Sequence, residues 1–297
     1  MFLVVDEPKL IRTLIPEDVD KQTKGVFGVA ILGDELFIIR IDCPEIEVFG
    51  DLQELKPIRE VALKNHKLEL PWDIQSCSEN KCLYIVDERR GEKETAEIIR
   101  IDPDGNVQHK WKTKCKDSRL SITYEFNVII TSSDKNKIEE YSPDGELVCL
   151  IEWPSSVGII APWITFKQRE NEYIVSYGDR GDPDHRVCVI DLKGNIKYNF
   201  GGKKGSNNYQ LNVPVHMAAY FDGRMLVADK DNRRLVLLSP ELKFLKSLFS
   251  SSEYLRLPNR VCLDEKHKRL FVADNKHVSS LNPWGEGRVF VFDMSGV

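Results

Sequence analysis

The sequence predicts an all-β protein, a six-bladed β-propeller built from four-stranded antiparallel blades. The first observation is a repeat of six aspartates at intervals of 45 to 50 residues: Asp42, Asp87, Asp134, Asp179, Asp229 and Asp274. The second is that runs of strand-forming residues precede most of them, such as LYIVD at 83–87 and LFVAD at 270–274. A period of this length is typical of four-stranded units that stack on their neighbours. We expect the aspartates to be structural, each holding a bend by accepting backbone N–H groups.

Blade two shows the predicted unit in full. Its four strand-like runs are LPWDIQSC (70–77), KCLYIVD (81–87), AEIIRID (96–102) and NVQHKWKT (106–113). Short polar turns separate them, and in the PDG turn at 103–105 proline presets φ while glycine tolerates a positive φ. The same plan predicts blade one from FGVAIL (27–32) to Leu63, and blades three, four and five at 119–153, 162–200 and 214–249.

Blade six lacks a strand at the carboxyl end of the chain. Residues 257–293 supply only three strand-like runs. The segment PKLIRTLI (8–15) is similar to the outermost strands of other blades, so we predict that it completes blade six and closes the ring. Closure of this kind removes an open sheet edge. The whole chain, 1–297, is therefore predicted to be a single propeller domain.

The composition indicates an ordinary water-soluble protein. Hydrophobic residues make up 41% of the chain and charged residues 30%, and no apolar run is long enough to span a membrane. Seven cysteines, an odd number, argue against a disulfide framework, so we expect a reduced, cytoplasmic protein and a monomer. Cys77 and Cys82 flank one predicted hairpin turn; free thiols are favoured there, although pairing stays open, and two thiols make at most half a zinc site.

The charges are unevenly distributed along the chain. Residues 201–270 hold 13 Lys and Arg against 7 acidic residues, a net charge of +6, whereas the whole chain carries −5. A segment of this kind favours an anionic partner.

Two segments resemble a known repeat family. The stretch 200–240 contains a glycine-spaced loop (FGGKKGSNNYQLN), a proline before the innermost strand and the turn VADKDNRR, and 255–275 repeats this plan. These features resemble the NHL repeat, most closely in blades five and six and least in blade one. NHL propellers often form the carboxyl-terminal domain of tripartite-motif ubiquitin ligases, where they bind proteins or structured RNA. The resemblance implies a binding role; without Cys/His zinc modules or a coiled coil, it does not imply ligase activity.

The innermost strands of a propeller line its central channel, and their alignment predicts a ring of side chains. The aligned positions are Gly28, Asp73, Ser121, Ile164, His216 and Arg260. Asp73, Ser121, His216 and Arg260 are the channel candidates, because such groups can orient a ligand or transfer protons. The alternative interpretation, which we favour, is that they hydrogen-bond to each other and to channel water.

A propeller hydrolase or lyase with a metal in the channel is the minority interpretation. Only His216 of the six histidines falls on an innermost strand, whereas a zinc lyase site needs three imidazoles. The ring contains one acid, Asp73, with Arg260 nearby, which is a poor calcium site. We therefore expect no catalytic residues, no metal and no cofactor.

The connections after the second strand of each blade vary most in length. Long inserts follow the second strand in blades two (88–97), four (180–185) and six (275–287), and all should lie on one face of the propeller. The predicted partner-binding residues on that face are Arg89, Arg90, Arg180, Arg233, Arg234 and Trp284. Arginine and tryptophan are enriched in interface hot spots, so a protein partner is the preferred hypothesis. The alternative is RNA bound through the basic segment 201–270.

Overall fold

Six four-stranded antiparallel sheets form the blades of a propeller in this computed structural model. The structure describes residues 7–89, 95–114, 118–132, 137–152, 162–169, 171–249, 254–276 and 285–297. One four-residue helix, α1 (Val19–Gln22), lies ahead of blade one, and Asp18 caps it by accepting from the Asp20 N–H. No helix in these ranges is long and apolar enough to cross a membrane. The predicted fold class is confirmed.

Each blade follows the chain order from its innermost to its outermost strand. Blade one consists of β2 (Val26–Leu32), β3 (Glu35–Arg40), β4 (Glu45–Gly50) and β5 (Lys56–Ala62). Blade two consists of β6 (Leu70–Cys77), β7 (Cys82–Glu88), β8 (Ala96–Ile101) and β9 (Val107–Thr113). Blade three consists of β10 (Ser118–Ile122), β11 (Val128–Ser132), β12 (Lys137–Tyr141) and β13 (Leu147–Glu152). Blade four consists of β14 (Pro162–Arg169), β15 (Glu172–Tyr177), β16 (Asp184–Asp191) and β17 (Ile196–Lys203). Blade five consists of β18 (Pro214–Ala219), β19 (Met225–Asp229), β20 (Arg234–Leu238) and β21 (Phe244–Leu248). Blade six consists of β22 (Pro258–Asp264), β23 (Arg269–Lys276), β24 (Glu286–Asp293) and β1 (Lys9–Leu14).

The amino-terminal strand closes the ring, as the sequence predicts. Strand β1 pairs antiparallel with β24, from Lys9 opposite Asp293 to Leu14 opposite Val289, with a register shift between Leu10 and Arg12. Leu14 is buried in a core cluster shared with blade one. This strand therefore covers the open edge of β24 and joins the first and last blades.

The core lies between neighbouring blades. Phe37 and Val48 of blade one pack with Ile85 and Ile99 of blade two, and equivalent clusters join the other blades. The middle strands are almost entirely buried because both of their faces meet a neighbouring sheet. The outermost strands β9, β13 and β17 expose about half of their side chains or more to solvent.

Tight turns hold the hairpins in the way the sequence predicts. In the turn between β8 and β9, Gly105 has φ +80° and the Asp102 carboxylate accepts N–H groups from Asp104 and Asn106. Gly145 at the equivalent turn of blade three has φ +78°. Both glycines adopt a backbone conformation that other residues rarely take.

Three of the six repeated aspartates have the predicted structural role. Asp87, Asp229 and Asp274 are buried, and each accepts the backbone N–H of the residue 17 positions earlier: Leu70, Asn212 and Leu257, at 2.9, 2.6 and 2.8 Å. Each carboxylate thus ties the end of its second strand to the chain segment that enters its own blade.

Asp42 and Asp179 do not occupy that position, so the alignment of the repeat is wrong there. Strand pairing places Arg40 opposite Val26 and Tyr177 opposite Pro162. At the same position, blades two, five and six place aspartate opposite Pro71, Pro214 and Pro258. Asp42 lies in the following turn with φ +58°, and Asp179 is exposed. Asp134 lies outside the described residues.

The two cysteines at the β6–β7 hairpin are free thiols, as the sequence analysis favours. Cys77 and Cys82 lie directly opposite each other across the β6–β7 hairpin, both are buried, and they are not joined by a disulfide. Cys188 is also buried, and burial raises the pKa of its thiol far above the ordinary value. The Cys188 thiol is therefore held in its uncharged form.

Strand direction gives the propeller two distinct faces. The loop face collects the connections between blades and those between the second and third strands of each blade. The turn face collects the two hairpin turns of each blade. Asp42, Asp87, Asp179, Asp229 and Asp274 lie on the loop face.

Candidate binding face and central channel

The channel ring differs from the predicted one at a single blade. The backbone N–H of Val261, the residue after Arg260, donates to Nδ1 of the ring residue His216 in the preceding blade at 3.4 Å. In the same way, the backbone N–H of Leu120 in blade three donates to Asp73 Oδ2 in blade two at 3.0 Å. Arg119, the residue before Leu120, is therefore the blade-three equivalent of Arg260. Both guanidinium groups also donate to the carbonyl of the residue before them. The ring is therefore Gly28, Asp73, Arg119, Ile164, His216 and Arg260.

Ser121 lies two residues further along β10, on the same side of the strand and deeper in the channel. The alignment failed because β10 runs without the register shift that follows the first residues of the five other innermost strands. The spacing contained a usable signal: Arg119 is 46 residues from Asp73 and 45 from Ile164, more even than the 48 and 43 of Ser121.

Asp73 and Arg260 form a buried ion pair across the channel. Arg260 Nε donates to Asp73 Oδ1 at 3.2 Å, and Arg260 Nη2 donates to Trp72 O at 3.2 Å. Asp73 also accepts the N–H groups of Ile74 and Leu120. These bonds join blades two, three and six, which favours a structural role for the pair.

Gly28 makes that arrangement possible because blade one stands between blades six and two. A Cβ at Gly28 would lie 2.6 Å from Ile74 Cγ2 and 2.8 Å from Ile74 N. Any side chain there would push the innermost strand of blade two away and obstruct the path of Arg260 to Asp73. The glycine is thus required by close approach.

His216 presents an unused donor inside the channel. Its Nδ1 accepts from Val261 N–H, so the proton of the neutral ring lies on Nε2. Nε2 is buried and has no hydrogen-bond partner. Burial holds the pKa of His216 well below its usual value, and the positive charges of Arg260 and Arg119 lower it further. The ring stays neutral near pH 7.

Lys230 lies at the loop-face mouth of the same channel. It follows directly after Asp229, at the end of the strand that pairs with the His216 strand. Burial lowers its pKa to about 8; Asp231 raises the pKa, and Arg180, Arg119 and Arg260 lower it. These three arginines belong to blades four, three and six, so the Lys230 ammonium lies near the propeller axis. The sequence analysis missed this residue.

The predicted partner-binding arginines fall into different environments. Arg180 is 60% exposed at its side chain and binds both carboxylate oxygens of Asp231, at 2.9 and 3.1 Å. Arg89 is partly exposed and lies 3.5 Å from Glu97, and Arg233 is exposed in a left-handed conformation. Arg90 and Trp284 lie outside the described residues.

Arg234 is not available on this face. It is buried, its Nε donates to Asp229 at 2.8 Å, and its Nη groups donate to the carbonyls of Ser206, Asn207 and Gln210. Its guanidinium therefore holds the loop before β18 in place. The sequence placed it on the face because Arg233 and Arg234 are adjacent, but neighbouring residues at a strand start point in opposite directions.

Two exposed aromatic residues add to the loop face. Tyr209 is 70% exposed and Tyr254 is 45% exposed, and both lie in connections between blades. On the turn face Phe221 is 94% exposed. Aromatic residues within polar inter-blade segments, such as SNNYQLN at 206–212, are the signal that could have identified the first two.

The basic segment 201–270 does not form a single surface. Its cations divide into a loop-face group (Lys203, Lys204, Lys230, Arg233, Arg256), a turn-face group (Arg224, Lys243, Lys266, Lys268, Arg269), Lys246 on the outermost strand β21, and the buried Arg234 and Arg260. A positive charge seen as one block in the sequence is therefore divided by the fold. This distribution does not favour one continuous track for a nucleic-acid backbone.

No group of three or more His, Cys, Asp or Glu side chains that could hold a metal ion occurs within the described ranges. The only imidazole in the described channel ring is that of His216, and the ring position beside it in blade six is the cationic Arg260.

Comparison with known proteins supports the fold. No family model matches the chain, and no curated protein matches it in sequence. It is similar in structure to a protein of unknown function from Bacteroides caccae, with 14% identity, a TM-score of 0.63, and coverage of 88% of this chain and 90% of that one. It is also similar to the hydrazine synthase of Kuenenia stuttgartiensis, with 12% identity, a TM-score of 0.58, and coverage of 88% and 94%. At these identities the likeness extends to the fold alone.

Proposed function

We propose that this propeller is a non-catalytic binding module that recognises another protein through its loop face. The observation that carries the proposal is that the long and irregular connections lie on the loop face, together with the exposed Arg180, Arg233, Tyr209 and Tyr254 and the partly exposed Arg89. Aromatic and arginine side chains dominate the binding energy of protein interfaces. The resemblance of blades five and six to NHL repeats supports the same role, and we infer that the repeats are of that type.

The test compares two double variants with matched chemistry. Tyr209→Ala with Arg233→Ala removes an aromatic and a cation from the loop face; Phe221→Ala with Lys266→Ala removes the same pair from the turn face, where Lys266 is 73% exposed. Each variant and the wild type are immobilised, and the proteins captured from cells that express this chain are quantified. We expect the loop-face variant to weaken capture of a specific partner about thirtyfold and the turn-face variant to leave it unchanged.

The reverse pattern would move the interface to the turn face and contradict the proposal. RNA is the competing outcome, tested by filter binding with mixed RNAs at low and high salt. Salt-dependent affinity that the loop-face variant abolishes would replace the protein partner by RNA. Stoichiometric zinc or calcium in the purified protein would contradict the non-catalytic part of the proposal.

A further inference from the structure

The mouth of the channel contains two nitrogen donors that the fold itself does not use. His216 Nε2 is buried without a hydrogen-bond partner, although its other nitrogen is engaged. Lys230 Nζ makes no hydrogen bond and no ion pair with any residue in the described part of the chain, and part of the side chain is exposed. A buried polar group without a partner is costly, so such groups point to a missing ligand or water.

The nearby charges leave a positive surplus at this point. Asp73 is paired with Arg260, and Asp231 is shared between Arg180 and Lys230, so the cations at this point outnumber the carboxylates. Arg119 lies in the same ring, with its guanidinium 5.3 Å from the centre of the Trp72 ring, and adds to the positive potential. A mouth that combines the Lys230 ammonium, the neutral His216 N–H donor and nearby guanidinium groups attracts an anion and repels a cation.

Lys230 and His216 are also arranged to act together. They lie on the paired strands β18 and β19 of blade five, with His216 opposite Ala228, two residues before Lys230. The lysine lies at the mouth and the histidine one step further in. An oxyanion entering from the loop face would meet the ammonium first and the Nε2–H next.

We propose that the loop-face mouth of the channel binds a small molecule through a carboxylate or phosphate group, with Lys230 Nζ and His216 Nε2 as its donors. The anionic group enters the channel, where His216 is only 3% exposed, so the group must be small. The rest of the ligand lies on the loop face. Charge-assisted hydrogen bonds of this kind are the strong ones. This site goes beyond the proposed protein recognition and does not depend on it.

The experiment is calorimetric titration of the whole protein with inorganic phosphate and with malonate, each against sodium chloride of the same ionic strength. We expect saturable binding of one equivalent of phosphate or malonate and none of chloride. Tighter binding of phosphate identifies a phosphorylated ligand, and tighter binding of malonate identifies an organic acid. Lys230→Met should weaken binding at least about tenfold, whereas Lys230→Arg should retain most of it.

The control is Lys266→Met, which removes an exposed ammonium from the turn face and should bind like the wild type. A second measurement uses acetic anhydride labelling followed by mass spectrometry: the bound anion should slow acetylation of Lys230 and not of Lys266. Equal affinities of the wild type and Lys230→Met, or binding that depends only on ionic strength, would overturn the proposal. Absence of any saturable binding and of any protection of Lys230 would overturn it as well.

Discussion

Blade one and blade five solve the same structural problem with opposite charges. At the end of the second strand of blade five, the buried Asp229 carboxylate accepts from Asn212 N–H, Asn232 Nδ2 and Arg234 Nε. At the same position of blade one, the buried Arg40 guanidinium donates to Glu47 Oε1, Lys24 O and Gly287 O, at 2.5, 3.1 and 2.7 Å.

The comparison shows that the repeat requires a buried polar group at this position and not an aspartate as such. In blade five the chain presents N–H groups to the site, so an acceptor fits. In blade one it presents carbonyl groups, one of them from blade six, so a donor fits. Either way, backbone groups that the bend would leave unsatisfied in the interior find a partner.

The largest effect is expected from removal of the closing strand. Deletion of the chain through Leu14 would expose the β24 edge and remove Leu14 from the apolar cluster between blades one and six. The seam would then depend on the rest of that cluster and on polar bonds such as those of Arg40 and Asn275. We expect loss of the cooperative unfolding transition in urea, because an open propeller loses one of its blade interfaces. A sharp transition with unchanged midpoint would show that blade one holds the ring without β1.

Asp229→Ala tests the acceptor version of the anchor. The change leaves the buried Arg234 without its carboxylate and the Asn212 N–H without an acceptor. We expect a loss of about 3–5 kcal/mol in the free energy of unfolding, measured by urea denaturation. The matched control is Asp179→Ala, whose exposed carboxylate is off this position and should cost less than about 0.5 kcal/mol. Similar losses for the two would contradict the distinction between the aspartates.

Arg40→Met tests the donor version. It keeps the volume but removes the partner of the nearly buried Glu47 and two donors to backbone carbonyls. We expect a loss of about 2–3 kcal/mol. Addition of Glu47→Gln should recover part of it, because the uncompensated carboxylate is then neutral. A double variant less stable than Arg40→Met would show that Glu47 is stabilised by groups other than Arg40.

Lys230→Met is expected to have the smallest effect, and one of opposite sign. Unlike Asp229 and Arg40, Lys230 is a largely desolvated charge that anchors no described backbone group. Its pKa falls to about 8 in the folded state, from 10.5, so between these values the unfolded chain binds more protons. Wild-type stability should therefore rise as pH increases above about 8.

At pH 7 the methionine variant should be more stable by about 1–2 kcal/mol, since it removes the cost of the buried ammonium. It should also lack the rise between pH 8 and 9.5 that the wild type shows in urea midpoints. The charged groups that act on Lys230 are Asp231, Arg180, Arg119 and Arg260. An unchanged slope in the variant would contradict the assignment to Lys230.

Some of the binding face and channel was predictable from the sequence. Asp73, His216 and Arg260 were placed correctly on the innermost strands because a proline and a register shift precede each of them in the same way. Arg119 was missed because β10 has no such shift, and the alignment selected Ser121, two residues later, in its place. Residues two apart in a strand point to the same side, so the alternation of side chains did not reveal the error. Arg234 was misplaced because its burial depends on carbonyl groups from a loop 24 to 28 residues away.

The sequence by itself determined the number of blades, the strands in each and the closure by residues 8–15, because these depend on local pattern and on a period that is visible along one chain. Only the tertiary structure decided which residues meet at the axis: the ion pair of Asp73 and Arg260, 187 positions apart, and the convergence of Lys230 with arginines from three other blades. The physical reason is that the axis collects one short segment from every blade. Its chemistry therefore depends on register and burial, which no local pattern encodes.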